Sequence, residues 1–261
     1  MQDHYPSLLP LWDDCINYDK RQRLFNIIRY VILYVYGGAF VDMDTINYRP
    51  LDTAITKYSC IIPTEPFEHV FRTNVPYTLT HSVMLCRPGH PFFKYILDNL
   101  HMYEHLNNHW DAVGPGFFTT QYKMYMQRYR QRNEHAISTD VSMGNTYPYF
   151  YHEHIPSEHP DAVYIAHSQY FTGLSDSELY SLMYRECKNF YNLHFLHQKA
   201  CIHLQLYGLV RGRSEYTYVQ HLWQNNWYAW NKQTIYVKAY RWLFGSDIRA
   251  IVPHAKIYNS P

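Results

Sequence analysis

No block of like charge, no long apolar run and no close pair of cysteines occurs in this 261-residue sequence. Each absence removes a class of explanation. With 23 basic against 22 acidic residues and a formal charge of +1, the chain has no electrostatic footprint for nucleic acid or an anionic membrane surface. No window approaches the roughly 18 to 20 apolar residues of a membrane span. The opening MQDHYPSLLPLWDD lacks the basic stretch and apolar core of a secretory leader. The expectation is a soluble chain, cytoplasmic or peripheral to a membrane. Five cysteines, at 15, 60, 86, 187 and 201, are odd in number and never closer than 14 residues, which excludes zinc-type pairing and suggests free thiols in a reducing compartment. No internal repeat or low-complexity linker divides the chain, so a single domain over 1–261 is expected.

What the chain has in abundance is aromatic and imidazole side chains: 28 Tyr, 17 His, 13 Phe and 6 Trp. Tyr and Trp pair an apolar face with a polar handle, which suits sugar rings as well as ordinary packing. The stretch LFNIIRYVILYVYGGAFVDMDTINYRPL, residues 24–51, organises the rest. Leu24, Ile27, Ile28, Val31, Ile32 and Val35 follow helical spacing, which predicts a helix over 20–36. Gly37 and Gly38 stop it in the left-handed conformation that glycine adopts without steric cost. Residues 39–43 then read as a short buried strand. On a strand, Asp42 and Asp44 project to the same face, and two carboxylates there invite a divalent cation.

Further strands are predicted over 59–63 and 82–86, and helices over 92–103, 117–133 and 175–187, the last with Ser175 and Glu178 at capping-box spacing. Residues 1–20 read as a proline-bearing, turn-containing lead-in, 147–164 as loops and brief strands, and 217–230 as an aromatic run. Tyr30, Tyr34 and Tyr36 are read as packing residues. Helix passing into sheet, with an acidic pair at the carboxyl end of a strand, is where α/β architectures place ligands. His152 and His154 are two apart, whereas a metalloprotease helix needs histidines at i and i+4, so that zinc chemistry is excluded.

The segment FNIIRYVILYVYGGAFVDMDT resembles the signature of the DXD-containing family 32 glycosyltransferases, in which a helix bearing Arg-Tyr, a Gly-Gly stop, an aliphatic strand and Asp-x-Asp follow one another. PGHPFFKYILDNL, VGPGFF and YVQHLWQNNW resemble later segments of the same family, in the same order. The resemblance implies a GT-A-like, Rossmann-like α/β fold with a mixed sheet flanked by helices. It also implies a nucleotide-sugar half over 1–130 and an acceptor-side half over 131–261. Asp44 and Asp42 would serve catalysis as holders of Mn²⁺ or Mg²⁺, Asp42 also contacting sugar or ribose. Arg29 and Asn26 would bind the donor, a UDP- or GDP-sugar. His221, with Asn226 and Trp227, would close over the diphosphate from the C-terminal side, His221 joining the cation. The reaction implied is transfer of mannose, galactose or glucose to a hydroxyl of a glycan, glycolipid or protein. Configuration would be retained through front-side attack assisted by the leaving phosphate, and no residue stands out as a covalent nucleophile.

Three departures from the family pattern bear on this. Asn26 stands where the family has Asp, Thr80-His81-Ser82 stands at the family's Asn-Asp pair, and the family's usual first strand is not found ahead of the helix. Asn still donates and accepts, so sugar binding with altered preference follows. The alternative of a different class is a non-catalytic carbohydrate-binding relative; a second is a metal phosphohydrolase using the same carboxylates.

Overall fold

The structure, a computed structural model, describes residues 5–17, 21–56, 58–75, 77–103, 105–106, 108–132, 161–173, 177–207 and 216–223. All lie in one compact unit, Met1–Trp223. Most of the loop region expected over 147–164, the His152–His154 string, Ser175 and the aromatic run beyond Trp223 fall outside the described residues. A 3-10 turn at Pro6–Leu8 enters α1 (Leu9–Asn17), followed by α2 (Arg21–Tyr36), β1 (Gly38–Val41), β2 (Thr45–Asn47), α3 (Asp52–Ile55) and β3 (Cys60–Pro63). A 3-10 turn at Phe67–His69 runs into α4 (Val70–Thr73), and then come β4 (Val83–Cys86), α5 (Pro91–Asn99), α6 (His109–Ala112) and α7 (Pro115–Arg132). The last elements are β5 (Tyr164–Ala166), α8 (Ser168–Phe171), α9 (Ser177–Glu186), α10 (Phe195–Tyr207) and β6 (Val219–His221).

The main sheet has the order β1-β4-β3-β5, with β4 antiparallel to both neighbours and β3 parallel to β5. Hence β1, β3 and β5 point the same way, and the residues just past them, Asp42, Thr64 to Glu65 and His167, emerge at one end of the sheet. The predicted mixed sheet flanked by helices is present. Side-chain alternation divides its two faces. Cys60, Ile62, Met84 and Cys86 join the core with Ile27, Tyr30, Leu33, Phe92, Phe93, Phe117 and Phe118 from α2, α5 and α7. Ile61, Val83 and Leu85 face Phe171 and Val219 on the other side. Both central strands are buried throughout, which is why they read as continuous apolar runs.

The strand and helix expectations hold for β3, β4, α2, α5 and α7 within a few residues. Others are corrected. The lead-in is mostly helical: Leu8, Leu11 and Cys15 share one buried face and dock α1 on α2. β1 is an edge strand, exposed or half-buried, rather than a buried one. The buried face of α2 is rotated from the aliphatic stripe: Arg23, Asn26, Ile27, Arg29, Tyr30 and Leu33 are buried while Ile32 is exposed. Tyr30 is wholly buried, stacks on Phe118 at 5.6 Å and donates its hydroxyl to the Val113 carbonyl at 2.8 Å. Tyr34 packs at the core margin, whereas Tyr36 is exposed. Four of the five cysteines are bonded, not free. The β3/β4 register sets Cys60 opposite Cys86, and the packing of α10 against the 3-10 turn after α9 brings Cys187 to Cys201; Cys15 alone is a buried thiol. Sequence separations of 26 and 14 residues hide both pairs. No helix among the described residues is long and apolar enough to cross a membrane.

The turn between α2 and β1 depends on Gly37. Its φ is +64°, and a Cβ there would lie 2.4 Å from the Pro88 backbone nitrogen. Gly37→Ala is therefore expected to destabilise the fold by about 2 kcal/mol or more, from left-handed strain and a backbone clash together. Urea unfolding measures this; a midpoint equal to the native one would show that the turn relaxes freely.

Candidate functional site

β1 ends at Val41, one residue before the acidic pair, so Asp42, Met43 and Asp44 form a turn rather than a strand end. The strand-face reading of the two carboxylates is thus corrected, yet they still converge. The Asp42 amide donates to the Ser82 carbonyl at 2.7 Å, and the Thr45 hydroxyl returns to the Asp42 carbonyl at 2.8 Å. Met43, between them, is fully exposed. The chain then enters β2, which pairs with β6 in the register Thr45 to His221. This two-stranded ladder delivers the C-terminal histidine to the turn. The Leu222 amide donates to the Asp44 carbonyl at 2.8 Å, and the His221 amide to the Thr172 carbonyl at 2.9 Å.

The consequence is a three-residue cluster. His221 Nε2 lies 3.2 Å from Asp44 Oδ1 and 3.9 Å from Asp42 Oδ2. One ligand atom from each of Asp42, Asp44 and His221 lies within 4.8 Å of the others. Burial raises the Asp42 pKa, the nearby Arg29 and His221 lower it, and Asp44 raises it again, with a net rise. Two half-buried carboxylates facing an imidazole form an O, O, N donor set suited to Mn²⁺ or Mg²⁺, with further positions left for phosphate oxygens or water. The residues therefore fit the cation that the resemblance implies.

Arg29 is buried on α2 and reaches this cluster from behind. Its Nη2 stands 3.5 Å from Asp42 Oδ1, its Nη1 donates to the His81 carbonyl at 2.8 Å and contacts His81 Nδ1, and Cζ lies 4.8 Å from the Phe40 ring centroid. The guanidinium thus faces Asp42 and His81. Asn26, one turn earlier on the same helix, is also buried. Asn226 and Trp227 lie outside the described residues. The structure brings Asp42, Asp44, Arg29 and His221 together and adds residues whose placement the sequence does not reveal. His81 occupies the departure from the family's Asn-Asp pair. Trp223 adjoins His221, with ring centroids 4.2 Å apart. The proximity of His221 to Asp44 depends on the β2/β6 ladder, for which the sequence carries no periodicity signal.

The raised Asp42 pKa has a measurable sign. A carboxyl bound more tightly to its proton in the folded state contributes stability that is present at low pH and lost as pH rises through its folded pKa. In the metal-free protein, Asp42→Asn is therefore expected to melt higher than the native chain at neutral pH. That advantage should shrink as pH falls through the raised Asp42 pKa and level off below the ordinary carboxylate value of about 4. Melting both proteins across that range without metal checks it, and a constant difference would refute it. Mn²⁺ affinity of the native chain should fall over the same descent in pH, because the cation must displace that proton.

Residues 1–61 match the family model of the glycosyltransferase sugar-binding region containing DXD motif. Inositol phosphoceramide mannosyltransferase 1 of Schizosaccharomyces pombe is 26% identical over 132 residues, 48% of this chain and 37% of that protein. Inositol phosphoceramide mannosyltransferase 2 of the same organism is 31% identical over 98 residues, 38% and 25% respectively. Mannosyl phosphorylinositol ceramide synthase SUR1 of Saccharomyces cerevisiae is 29% identical over 133 residues, 48% and 31% respectively. The aligned part of the chain thus spans about a quarter to somewhat over a third of these relatives' length. Among solved structures, PaToxG glycosyltransferase aligns at 14% identity with a TM-score of 0.39, over 84% of this chain and 61% of that one. Residues 1–61 are thus similar to the DXD-containing sugar-binding region of glycosyltransferases, and up to about half of the chain aligns with mannosyltransferases.

Proposed function

We propose that the chain is a cation-dependent hexosyltransferase that takes its sugar from a nucleotide-diphospho donor and delivers it to a hydroxyl acceptor. The observation that carries this reading is the convergence of Asp42, Asp44 and His221, from opposite ends of the described chain, into one cluster with ligand atoms within 4.8 Å. The match of residues 1–61 to a DXD-containing sugar-binding region supports donor-sugar chemistry at such a cluster, and the names of the relatives favour mannose.

Asp42, Asp44 and His221 Nε2 would hold the cation. When bound, Mn²⁺ or Mg²⁺ offsets the negative charge that builds on the leaving diphosphate. Arg29 lowers the Asp42 pKa against the rise that burial causes, and so favours the ionised carboxylate that a cation needs. The donor oxygens would complete the coordination that three protein ligands leave open.

The test is a panel of UDP- and GDP-sugars with Mn²⁺, read by sugar release and by thermal shift with the corresponding nucleotides. The expected result is a cation-dependent rise in melting temperature with one nucleotide and slow hydrolysis of its matching sugar. No turnover with any donor, together with no cation-dependent shift, would sink the reading. Release of inorganic phosphate in place of sugar would instead identify a phosphohydrolase. A non-catalytic carbohydrate-binding chain has one observation in its favour, the engagement of the Arg29 guanidinium by Asp42 and His81. It predicts nucleotide and cation binding without sugar release.

A further inference from the structure

A ligating imidazole is normally oriented by a hydrogen bond from its other ring nitrogen, which selects the tautomer and locks the ring. His221 is built differently. Its backbone is held by the β2/β6 ladder and by Thr172, but its buried Nδ1 makes no hydrogen bond among the described residues. What meets the ring is Trp223, at 4.2 Å between centroids and 77° between planes, an edge-to-face contact. Trp223 is itself held in the left-handed region, at φ +54°. For a bulky side chain that conformation is strained and persists where surrounding contacts over-determine it.

Those contacts include a second imidazole. His69 meets Trp223 at 4.5 Å and 66°, so Trp223 makes edge-to-face contacts with both histidines. His69 is fixed in turn by Glu65, whose Oε2 lies 2.9 Å from His69 Nδ1, and both side chains are more than nine-tenths buried. Glu65 and His69 lie one helical turn apart just past β3, at the same end of the sheet as the turn after β1. The fold thus runs an unbroken set of contacts from Glu65 through His69, Trp223 and His221 to Asp44.

We propose that Glu65, His69 and Trp223 are positioning residues for His221: the Glu65–His69 pair braces Trp223, and the Trp223 ring takes the place of the missing hydrogen bond in holding His221 Nε2 toward Asp42 and Asp44. This inference rests on the cation reading of that cluster and deepens it. The residue between the two histidines is then an orienting wall, and its strained backbone is the consequence of placing an indole there immediately after a strand. None of the three touches the reacting groups. Their effect is on how well His221 is pre-oriented when a cation arrives, so it reads out in affinity rather than in the fold alone.

The experiment is a Mn²⁺ titration of the full chain followed by water-proton relaxation, with no donor present, on native protein and the variants Trp223→Ala, Trp223→Phe, His69→Ala and Glu65→Gln. Loss of an orienting partner of a ligand is typically worth about 10- to 100-fold in affinity. Trp223→Ala and His69→Ala are expected to bind Mn²⁺ within that range more weakly. Glu65→Gln, nearly isosteric and so a safeguard should the alanine variants fail to fold, should weaken it by about 10-fold, the low end of the same range. Trp223→Phe, which restores an aromatic wall, should recover most of the loss. Melting curves of the metal-free variants separate this from simple destabilisation, because a merely structural role lowers the melting temperature and leaves the affinity of the folded protein unchanged. Native affinity in Trp223→Ala, or in Glu65→Gln where the alanine variant does not fold, overturns the proposal while leaving the cation site intact. Failure of the native chain itself to bind Mn²⁺ in an Asp44-dependent manner overturns the cation reading, and the proposal with it.

Discussion

Asp44→Ala is expected to lower cation-dependent donor turnover by about a thousandfold and to abolish the melting-temperature rise that Mn²⁺ produces with nucleotide. The Asp44 carboxylate is the side chain nearest to His221 Nε2 in the cluster, at 3.2 Å, and its removal leaves one carboxylate and an imidazole to hold a divalent ion. The fold should survive the change. Asp44 takes part in the β2/β6 junction through its backbone carbonyl, which accepts from Leu222, and alanine preserves that bond. Removing the Asp44 charge also removes one of the influences that raise the Asp42 pKa, so metal-free stability at neutral pH should hold or improve. The measurements are steady-state sugar release and thermal shift on the two proteins side by side. Turnover within tenfold of native, with the cation-dependent shift retained, would place the catalytic cation elsewhere.

The second large effect is expected at Arg29. Arg29→Met removes the cation that offsets the burial of Asp42, and the Asp42 pKa should rise further. The acid limb of the pH–rate profile then moves to higher pH, and turnover near neutrality falls by about a hundredfold, in the range of losing one electrostatic stabiliser. Stability falls as well. Breaking a buried ion pair costs about 3–5 kcal/mol, and because Asp42 keeps roughly a quarter of its side chain exposed, a smaller loss of about 2 kcal/mol is expected here. Arg29→Lys should restore little. One ammonium cannot span Asp42 and the His81 carbonyl as the planar guanidinium does, nor stack as well over Phe40. A lysine variant with native turnover and an unmoved acid limb would show that charge alone suffices and that the fork geometry is incidental.

These two residues also show how much of the site was legible in the sequence. The helix, the Gly-Gly stop and the acidic pair are local features, set by spacing, by the conformational freedom of Gly37 and by chain direction. They could be read from residues 24–51. Even there the buried face departs from the aliphatic stripe: Ile32 is exposed, whereas Tyr30 is wholly buried and bonds Val113, and Arg29 and Asn26 turn inward with it. That rotation is what brings Arg29 to Asp42. No local signal marks His221, because three residues of β6 carry too little pattern to announce a strand; only the order of the family-like segments points to it.

By itself the sequence determined the α/β class, the order of the main helices and central strands, the acidic pair that follows the Gly-Gly stop, and the similarity of that stretch to a DXD-containing sugar-binding region. Only the tertiary structure decided that the pair sits in a turn rather than on a strand, that Cys60 meets Cys86, that the β2/β6 ladder brings His221 to Asp44, and that Trp223 meets both His221 and His69. The division has a physical cause. Helix periodicity, glycine conformation and strand apolarity are short-range and are written in consecutive residues. Ladder register, disulfide partners and edge-to-face contacts join residues far apart in the chain, and they exist only once burial of the shared core has chosen which distant surfaces meet.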